Sequence, residues 1–326
     1  MATARLVDVQ SPVPGIQILY DFINEAEEAY LLEKIDAAGG GTAAASTVEG
    51  EGKAVGGAAA RKPSGWKDLN GRKSMYWGGT VLPSGSLVPS PFPAFMDGAW
   101  PNVLDRIAQL GVYDAYSGGE GKGKERGPNH CLVNEYQPGE GIMPHTDGPA
   151  YHPLTSTLSL GSHTILCLRS PPSHLAPPSR PSSTSNDAPS SSAPDTSAAP
   201  AVQKLDILLP PRSLVLLSGD LYSTWLHGIQ PLKGDSLEAL RGCANWEGWW
   251  AWQREAAVAA AASEGEGEGE GEGGASAEEA QAAAQREVQK ARELVEAGKG
   301  WERGRRVSLT CRRPKGKVRA GLLGLR

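Results

Sequence analysis

The sequence predicts a mainly β domain of the α+β class, a sandwich or barrel with supporting N-terminal helices and three low-complexity insertions. Three observations carry this. From Cys131 onward six short runs rich in Val, Ile, Leu and Thr (CLVNEY, TSTLSL, HTILCL, KLDILL, RSLVLL and RRVSLTCR) are separated by turn sequences such as QPGEG and PPR. Near the N-terminus, NEAEEAYLLEKIDAA reads as one amphipathic helix. Gly and Pro, at 41 and 25 of 326 residues, make about a fifth of the chain against a usual share of roughly 12%, and they are concentrated in a few stretches.

In chain order the helix comes first. Asn24 and Glu27 have capping-box spacing, and Leu31 and Ile35 share one face. The first insertion, 39–60, is Gly/Ala-rich. The strand runs begin at Cys131, and the second insertion, 170–202, is nearly all Pro, Ser and Ala and separates HTILCL from KLDILL. The third, 255–300, contains EGEGEGEGEGG; within it Ser276 and Glu279 match a second capping box, opening a solvated helix that ends at Gly298. Such compositions bury too little apolar surface to offset chain entropy. Setting them aside leaves about 225 residues, one sizeable domain spanning 1–326.

The balance of 32 Lys and Arg against 37 Asp and Glu gives a net charge of −5, so gross charge does not mark a nucleic-acid binder. Charge is nonetheless segregated: residues 301–326 carry nine Lys or Arg against one Glu. That stretch is either a solvated surface or the footprint of a phosphate-bearing partner. No apolar run reaches the roughly 18 residues of a membrane span, and the start MATARLVDVQ lacks the apolar stretch of a secretory signal. The four cysteines, Cys131, Cys167, Cys243 and Cys311, form no C-x-x-C pair. Reduced thiols in a cytoplasmic and nuclear monomer are expected, with no membrane association.

The chemistry is read from i, i+2 pairs. In GIMPHTDGP, His145 and Asp147 project to the same side of a strand end. His227, in LYSTWLHGI, follows the strand RSLVLLSG and can be brought beside them in an antiparallel barrel. Two imidazoles and one carboxylate leave coordination positions open, as in non-haem Fe(II) oxygen chemistry; zinc hydrolysis is the competing metal reading. Asn134 and Tyr136 form another same-face pair on the strand leading into His145. Arg306 and Arg312 share a strand face with Ser308 between them, and a dicarboxylate would fit between their arms. Arg305 and Arg313 face the other way and read as exposed arginines of an edge strand.

Together N-x-Y-x(8)-H-x-D, a distant His and a terminal R-x(5)-R resemble the AlkB-type Fe(II)/2-oxoglutarate dioxygenases. The longer phrases GRKSMYWGG, VNEYQPGEGIMPHTDGPAYHP, STLSLGSHTIL and RVSLTCRR resemble the sixth homologous branch of that family. The resemblance implies a double-stranded β-helix, or jelly-roll, core. It implies that His145, Asp147 and His227 hold Fe(II), that Asn134 and Tyr136 bond 2-oxoglutarate, and that Arg306 holds its distal carboxylate. Ser308 becomes a further contact, and Arg312 either binds the co-substrate or faces the reacting centre. The implied reaction consumes dioxygen and removes methyl groups from nitrogen, releasing formaldehyde, succinate and carbon dioxide. The implied substrate is alkylated or single-stranded nucleic acid, with Arg72, Lys73, Tyr76 and Trp77 where relatives carry a nucleotide-recognition lid. An oxygenase for protein side chains, a nucleic-acid-binding module with little or no turnover and a purely structural jelly roll are the alternatives.

Overall fold

The computed structural model describes residues 6–40, 65–117, 126–171, 202–263, 289, 293 and 297–318. The strands are β1 (Val7–Asp8), β2 (Ile16–Leu19), β3 (Lys67–Leu69), β4 (Arg72–Trp77), β5 (Gly79–Val81), β6 (Leu87–Pro89), β7 (His130–Tyr136), β8 (Ile142–His145), β9 (Tyr151–Leu160), β10 (Thr164–Arg169), β11 (Lys204–Leu209), β12 (Leu214–Ser218), β13 (Leu226–Ile229), β14 (Gly234–Asp235), β15 (Trp301–Glu302) and β16 (Arg306–Pro314). The helices are α1 (Glu25–Ala38), α2 (Val103–Gln109), α3 (Gly219–Ser223), α4 (Leu237–Arg241) and α5 (Trp246–Ser263).

An eight-stranded sheet in the order β1-β2-β12-β9-β16-β7-β4-β3 accompanies a four-stranded sheet, β11-β10-β13-β8. This is the jelly-roll core. Alternation along the large sheet sorts its side chains between two faces. Met75, Val133, Leu158, Leu216 and Leu309 pack with Leu31 and Ile35 of α1 and with Val103 and Ile107 of α2 in one apolar cluster. On the opposite face, Val215 and Leu217 join Ile165, Ile207 and Leu208 of the small sheet in a second cluster, completed by Leu240 of α4 and by Trp246 and Trp249 of α5.

Helix α1 begins where the capping box places it. The Asn24 amide donates to Glu27 Oε2 at 2.8 Å, and the Glu27 amide donates to Asn24 Oδ1 at 2.9 Å. All six strand runs form strands, although RSLVLL starts two residues late. Arg212 adopts a positive φ of 63° and turns its buried guanidinium toward Asp21, Glu25 and Glu28.

Two expectations are corrected. The third insertion does not begin at Glu255, because α5 continues to Ser263. Its Ala-rich run, read from composition as spacer, is the strongest of helix formers. Residues 41–60, 172–201 and 264–288, with the capping box at Ser276 and Glu279, lie outside the described residues. The arginines near the C-terminus are also not a free basic surface. Strand β16 is central, flanked by β9 and β7; Arg305 pairs with Asp36 and Glu135, Arg313 donates to the Gly127 carbonyl, and Arg303 pairs with Asp235.

Candidate active site

Strands β8 and β13 pair with His145 and His227 as direct register partners. The two backbones approach closely there: a Cβ on Gly228 would stand 2.8 Å from the Ile142 carbonyl oxygen, so glycine is required. Asp147 lies two residues past His145, just beyond the strand end. Its Oδ1 is 4.0 Å from His145 Nε2 and 3.7 Å from His227 Nε2, too far for hydrogen bonds. One ligand atom from each of the three residues lies within 4.8 Å of the others.

The protonation chemistry suits a metal. His145 Nδ1 lies 2.8 Å from the Met143 carbonyl oxygen, to which it donates, leaving the Nε2 lone pair on the Asp147 side. Burial pushes the His227 pKa down to about 4, with His145 and Arg312 acting in the same sense against Asp147. At neutral pH His227 is therefore an uncharged donor. Two imidazoles and a carboxylate, facing one another without bonding, fit a divalent cation and leave open positions for further ligands.

A cavity of about 100 Å³ lies between the sheets beside these residues. One wall is the concave face of the large sheet, where register aligns Arg306 with Tyr136, Ser308 with Asn134 and Thr310 with Leu132. Thr155 and Thr157 extend this wall, and Leu166, Leu209 and Ile229 form the opposite one. Asn134, Tyr136, His145, Asp147, His227, Arg306, Ser308 and Arg312 all line this one cavity.

Within it the two inward arginines stand at different ends. Arg306 is buried, with Nη2 donating to Ser159 Oγ at 3.0 Å and the guanidinium 5.7 Å from the Tyr136 ring. Burial, reinforced by Arg303, lowers its pKa to about 10. Arg312 instead forms an ion pair with Asp147, Nη2 to Oδ1 at 3.1 Å, and lies 5.0 Å from the Tyr151 ring. Arg312 is thus paired with the carboxylate between the two histidines, whereas Arg306 has no carboxylate partner among the described residues.

The four residues expected at the substrate divide along β4. Arg72, Ser74 and Tyr76 are register partners of Leu69, Asn134 and Leu132, so they share the cavity face; Arg72 Nε donates to Asn134 Oδ1 at 3.3 Å. Tyr76 is 51% exposed and its ring lies 5.6 Å from that of His130. Lys73 and Trp77 point to the other face. Trp77 is buried edge-on against Phe95 at 5.5 Å, a core residue with no ring face to offer a base. Sequence reasoning did not single out Thr155, Thr157 and Thr310, although even spacing within TSTLSL and RVSLTCR carries that signal. It also passed over His130, whose Nδ1 accepts from the Tyr151 hydroxyl at 3.2 Å.

Comparison with known proteins agrees with this geometry. The model of a family described as the 2OG-Fe(II) oxygenase superfamily matches residues 15–312. The chain is 32% identical to "Probable RNA/DNA demethylase ALKBH6" of Danio rerio over 238 residues, 72% of this chain and 79% of that protein. It is 23% identical to "tRNA (carboxymethyluridine(34)-5-O)-methyltransferase alkbh8" of Xenopus tropicalis over 70% of this chain, spanning 27% of that longer protein. A solved structure, "The structure of OsALKBH1", is similar at 13% identity and a TM-score of 0.39, covering 93% of this chain and 100% of that one. The protein is thus an oxidoreductase using Fe(II), 2-oxoglutarate and dioxygen, and the zinc-hydrolase reading falls away. The chain belongs to the 2OG-Fe(II) oxygenase superfamily, in its AlkB-type branch.

Proposed function

We propose that the protein oxidatively removes methyl groups from nitrogen atoms of alkylated nucleic acid, RNA or DNA, releasing formaldehyde, succinate and carbon dioxide. The observation that carries this reading is Tyr76: a half-exposed ring on the same sheet face as Arg72 and Asn134, where an unstacked base can lie against it. The similarity to a relative named a probable RNA/DNA demethylase supports it. Bound iron, with 2-oxoglutarate and dioxygen, supplies the oxidising power for an N-methyl group.

The chain's own residues do the rest. His145, Asp147 and His227 hold the metal in a half-buried pocket, and Arg312 orients the Asp147 carboxylate. Arg306 presents its planar fork to the distal carboxylate of 2-oxoglutarate, while Asn134, Tyr136 and Ser308 line its path. Arg72 couples the substrate face to the co-substrate face through Asn134. The apolar wall of Leu166, Leu209 and Ile229 limits water in the cavity. The same proposal places the protein, as a monomer, in the cytoplasm and nucleus, supported by four buried cysteines that form no disulfide.

The test is anaerobic titration with Fe(II) and 2-oxoglutarate, followed by formaldehyde measurement with N-methylated single-stranded oligonucleotides and with N-methylated peptides. A charge-transfer band requiring both additions, lost in His227→Ala, and formaldehyde only from the oligonucleotide are the expected results. Formaldehyde only from the peptide would transfer the activity to protein side chains. A band without any turnover would favour the binding-module alternative.

A further inference from the structure

The basic stretch that ends the chain is only partly accounted for by its engaged arginines. Lys315 and Lys317, just past β16, are exposed. Among the described residues lysine enters one ion pair, Lys34 with Glu33, so neither has an acidic partner there. Their backbone is nevertheless fixed. The Lys315 amide donates to the Ala150 carbonyl at 2.9 Å, the Gly316 amide to the Gly85 carbonyl at 3.1 Å, and the Leu87 amide to the Lys317 carbonyl at 3.2 Å. The chains cross so closely that a Cβ on Gly316 would stand 2.5 Å from the Gly85 carbonyl oxygen, a gap only glycine fits. The K-G-K sequence thus ties the end of β16 to the β5–β6 hairpin, with a lysine before and after the crossing.

Lys315 borders a surface recess of about 650 Å³, walled by Leu82 and Pro83 of the hairpin turn and by Pro149 and Ala150 after Asp147. A second recess, of about 520 Å³, carries Lys67, Tyr76 and His130. Val81 and Tyr151 border both, so the two adjoin as one trough. Tyr151 also links the trough to the chemistry, because its ring lies 5.0 Å from the Arg312 guanidinium that pairs with Asp147. Charge and shape select the occupant. Among the described residues no carboxylate borders the trough, and each recess contributes one exposed lysine without an ion pair. The positive potential reaches His152, whose pKa burial lowers, with Arg313 and Lys315 acting in the same sense. Separated cations and a half-exposed Tyr76 ring in one trough match a chain whose phosphates repeat while its bases are free to stack.

We propose that this trough is a track for single-stranded nucleic acid, in which Lys67 and Lys315 hold phosphates of the nucleotides that flank the one at Tyr76. This rests on the reading of the substrate as nucleic acid, and it extends the binding surface from β4 to the β5–β6 hairpin and the end of β16. A strand must be long enough to fill both recesses before Lys315 contributes.

The experiment is fluorescence anisotropy on the full-length protein with unmodified oligothymidylates of about 4 and about 16 nucleotides, the span of single-strand site sizes, over a series of salt concentrations. The longer strand is expected to bind the parent more tightly and with the steeper fall of log K against log salt. Each phosphate contact on a single strand is worth about 0.7 in that slope. Lys315→Gln should therefore reduce the slope for the longer strand by about 0.7, and Lys67→Gln/Lys315→Gln by about 1.4, while arginine at either position preserves it. Fe(II) and 2-oxoglutarate affinities, from anaerobic calorimetry, should stay at the parent values and so report that the variants are folded. An unchanged slope in Lys67→Gln/Lys315→Gln, with the parent binding both strands, overturns the track and leaves the nucleic-acid reading in place. Absent or salt-independent binding of both strands by the parent overturns that reading and the track together. Parent-like strand binding in a double variant that has lost its affinity for phosphatidylserine vesicles overturns the track and assigns the lysines to a lipid surface.

Discussion

Arg312 Nη2 lies 3.1 Å from Asp147 Oδ1, the same carboxylate oxygen that faces His227 at 3.7 Å and His145 at 4.0 Å. Spacing along β16 pairs Arg312 with Arg306 on one strand face, yet their tasks differ. Arg312 ends at the metal ligand, and Arg306 ends nine-tenths buried beside Ser159 and Tyr136. A carboxylate paired with a fixed guanidinium is oriented before the metal arrives, which is what partners behind metal ligands contribute.

Arg312→Gln is therefore expected to weaken Fe(II) binding, on the order of ten-fold, while leaving 2-oxoglutarate affinity at saturating iron near that of the parent. Anaerobic iron titration reads the first quantity and calorimetry the second. Tighter iron binding in the variant would show that the arginine's charge opposes the metal more than its pairing organises the ligand.

Adjacent aromatics on β4 should behave oppositely. Tyr76→Ala removes a half-exposed ring and should cost little stability, but should weaken single-stranded oligonucleotide binding, by about 1–3 kcal/mol if a base stacks there. Trp77→Ala empties a buried site against Phe95 and should destabilise the fold by about 3–5 kcal/mol. Urea unfolding and fluorescence anisotropy, run on both variants, give four numbers. Unchanged anisotropy in Tyr76→Ala would remove this ring from the substrate face.

What could be read from the sequence was whatever depends on one strand. The even spacings Asn134/Tyr136 and Arg306/Ser308/Arg312 put those side chains on a common face, as alternation requires, and the Asn24/Glu27 box fixed the start of α1. What depends on register between distant strands was not legible. Nothing local tells that Arg312 meets Asp147, or that Asp235 gathers His163 and Arg303. Lys73 and Trp77 were grouped with Arg72 and Tyr76 by proximity in sequence, and strand alternation separates them. The start of the third insertion, placed at Glu255, falls inside α5 because composition alone does not distinguish an Ala-rich helix from an Ala-rich spacer.

Acid should destabilise the metal-free fold through its buried histidines: His227, whose pKa burial holds down to about 4, and two outside the candidate metal site. Burial, helped by Arg312, pushes the His130 pKa down to about 4, and burial also lowers that of His163 despite Asp235. In the unfolded chain both titrate near 6.5. Between those values the unfolded state binds protons that the folded state refuses, so stability falls as pH drops below about 6.5 and levels off below the folded pKa. Each group contributes a slope of up to about 1.4 kcal/mol per pH unit. Urea midpoints of the metal-free protein from pH 7.5 to 4.5 should show this loss, and His130→Gln should flatten it. An unaltered slope in His130→Gln would mean that this imidazole is already protonated in the native state.

The second insertion leaves the sandwich at a point where the chain can be closed. Arg169 and Lys204 are register partners on β10 and β11, the Ser170 amide donates to the Gln203 carbonyl at 3.0 Å, and the Gln203 amide donates to Ser170 Oγ at 2.9 Å. A two-residue Asn-Gly turn suits such a hairpin. Replacing residues 171–202 with Asn-Gly should therefore keep β10 in place, and with it Leu168, the partner of His227, and the inward-facing Leu166. Fe(II) and 2-oxoglutarate affinities, measured by the anaerobic titration, are expected to stay within about two-fold of the full chain, since no residue assigned to either lies in the removed segment. A loss well beyond that, with the melting midpoint unchanged, would mean that the removed residues close over the cofactor pocket. Intact cofactor binding with lost oligonucleotide turnover would instead place them on the substrate, at the mouth where β10 passes His227.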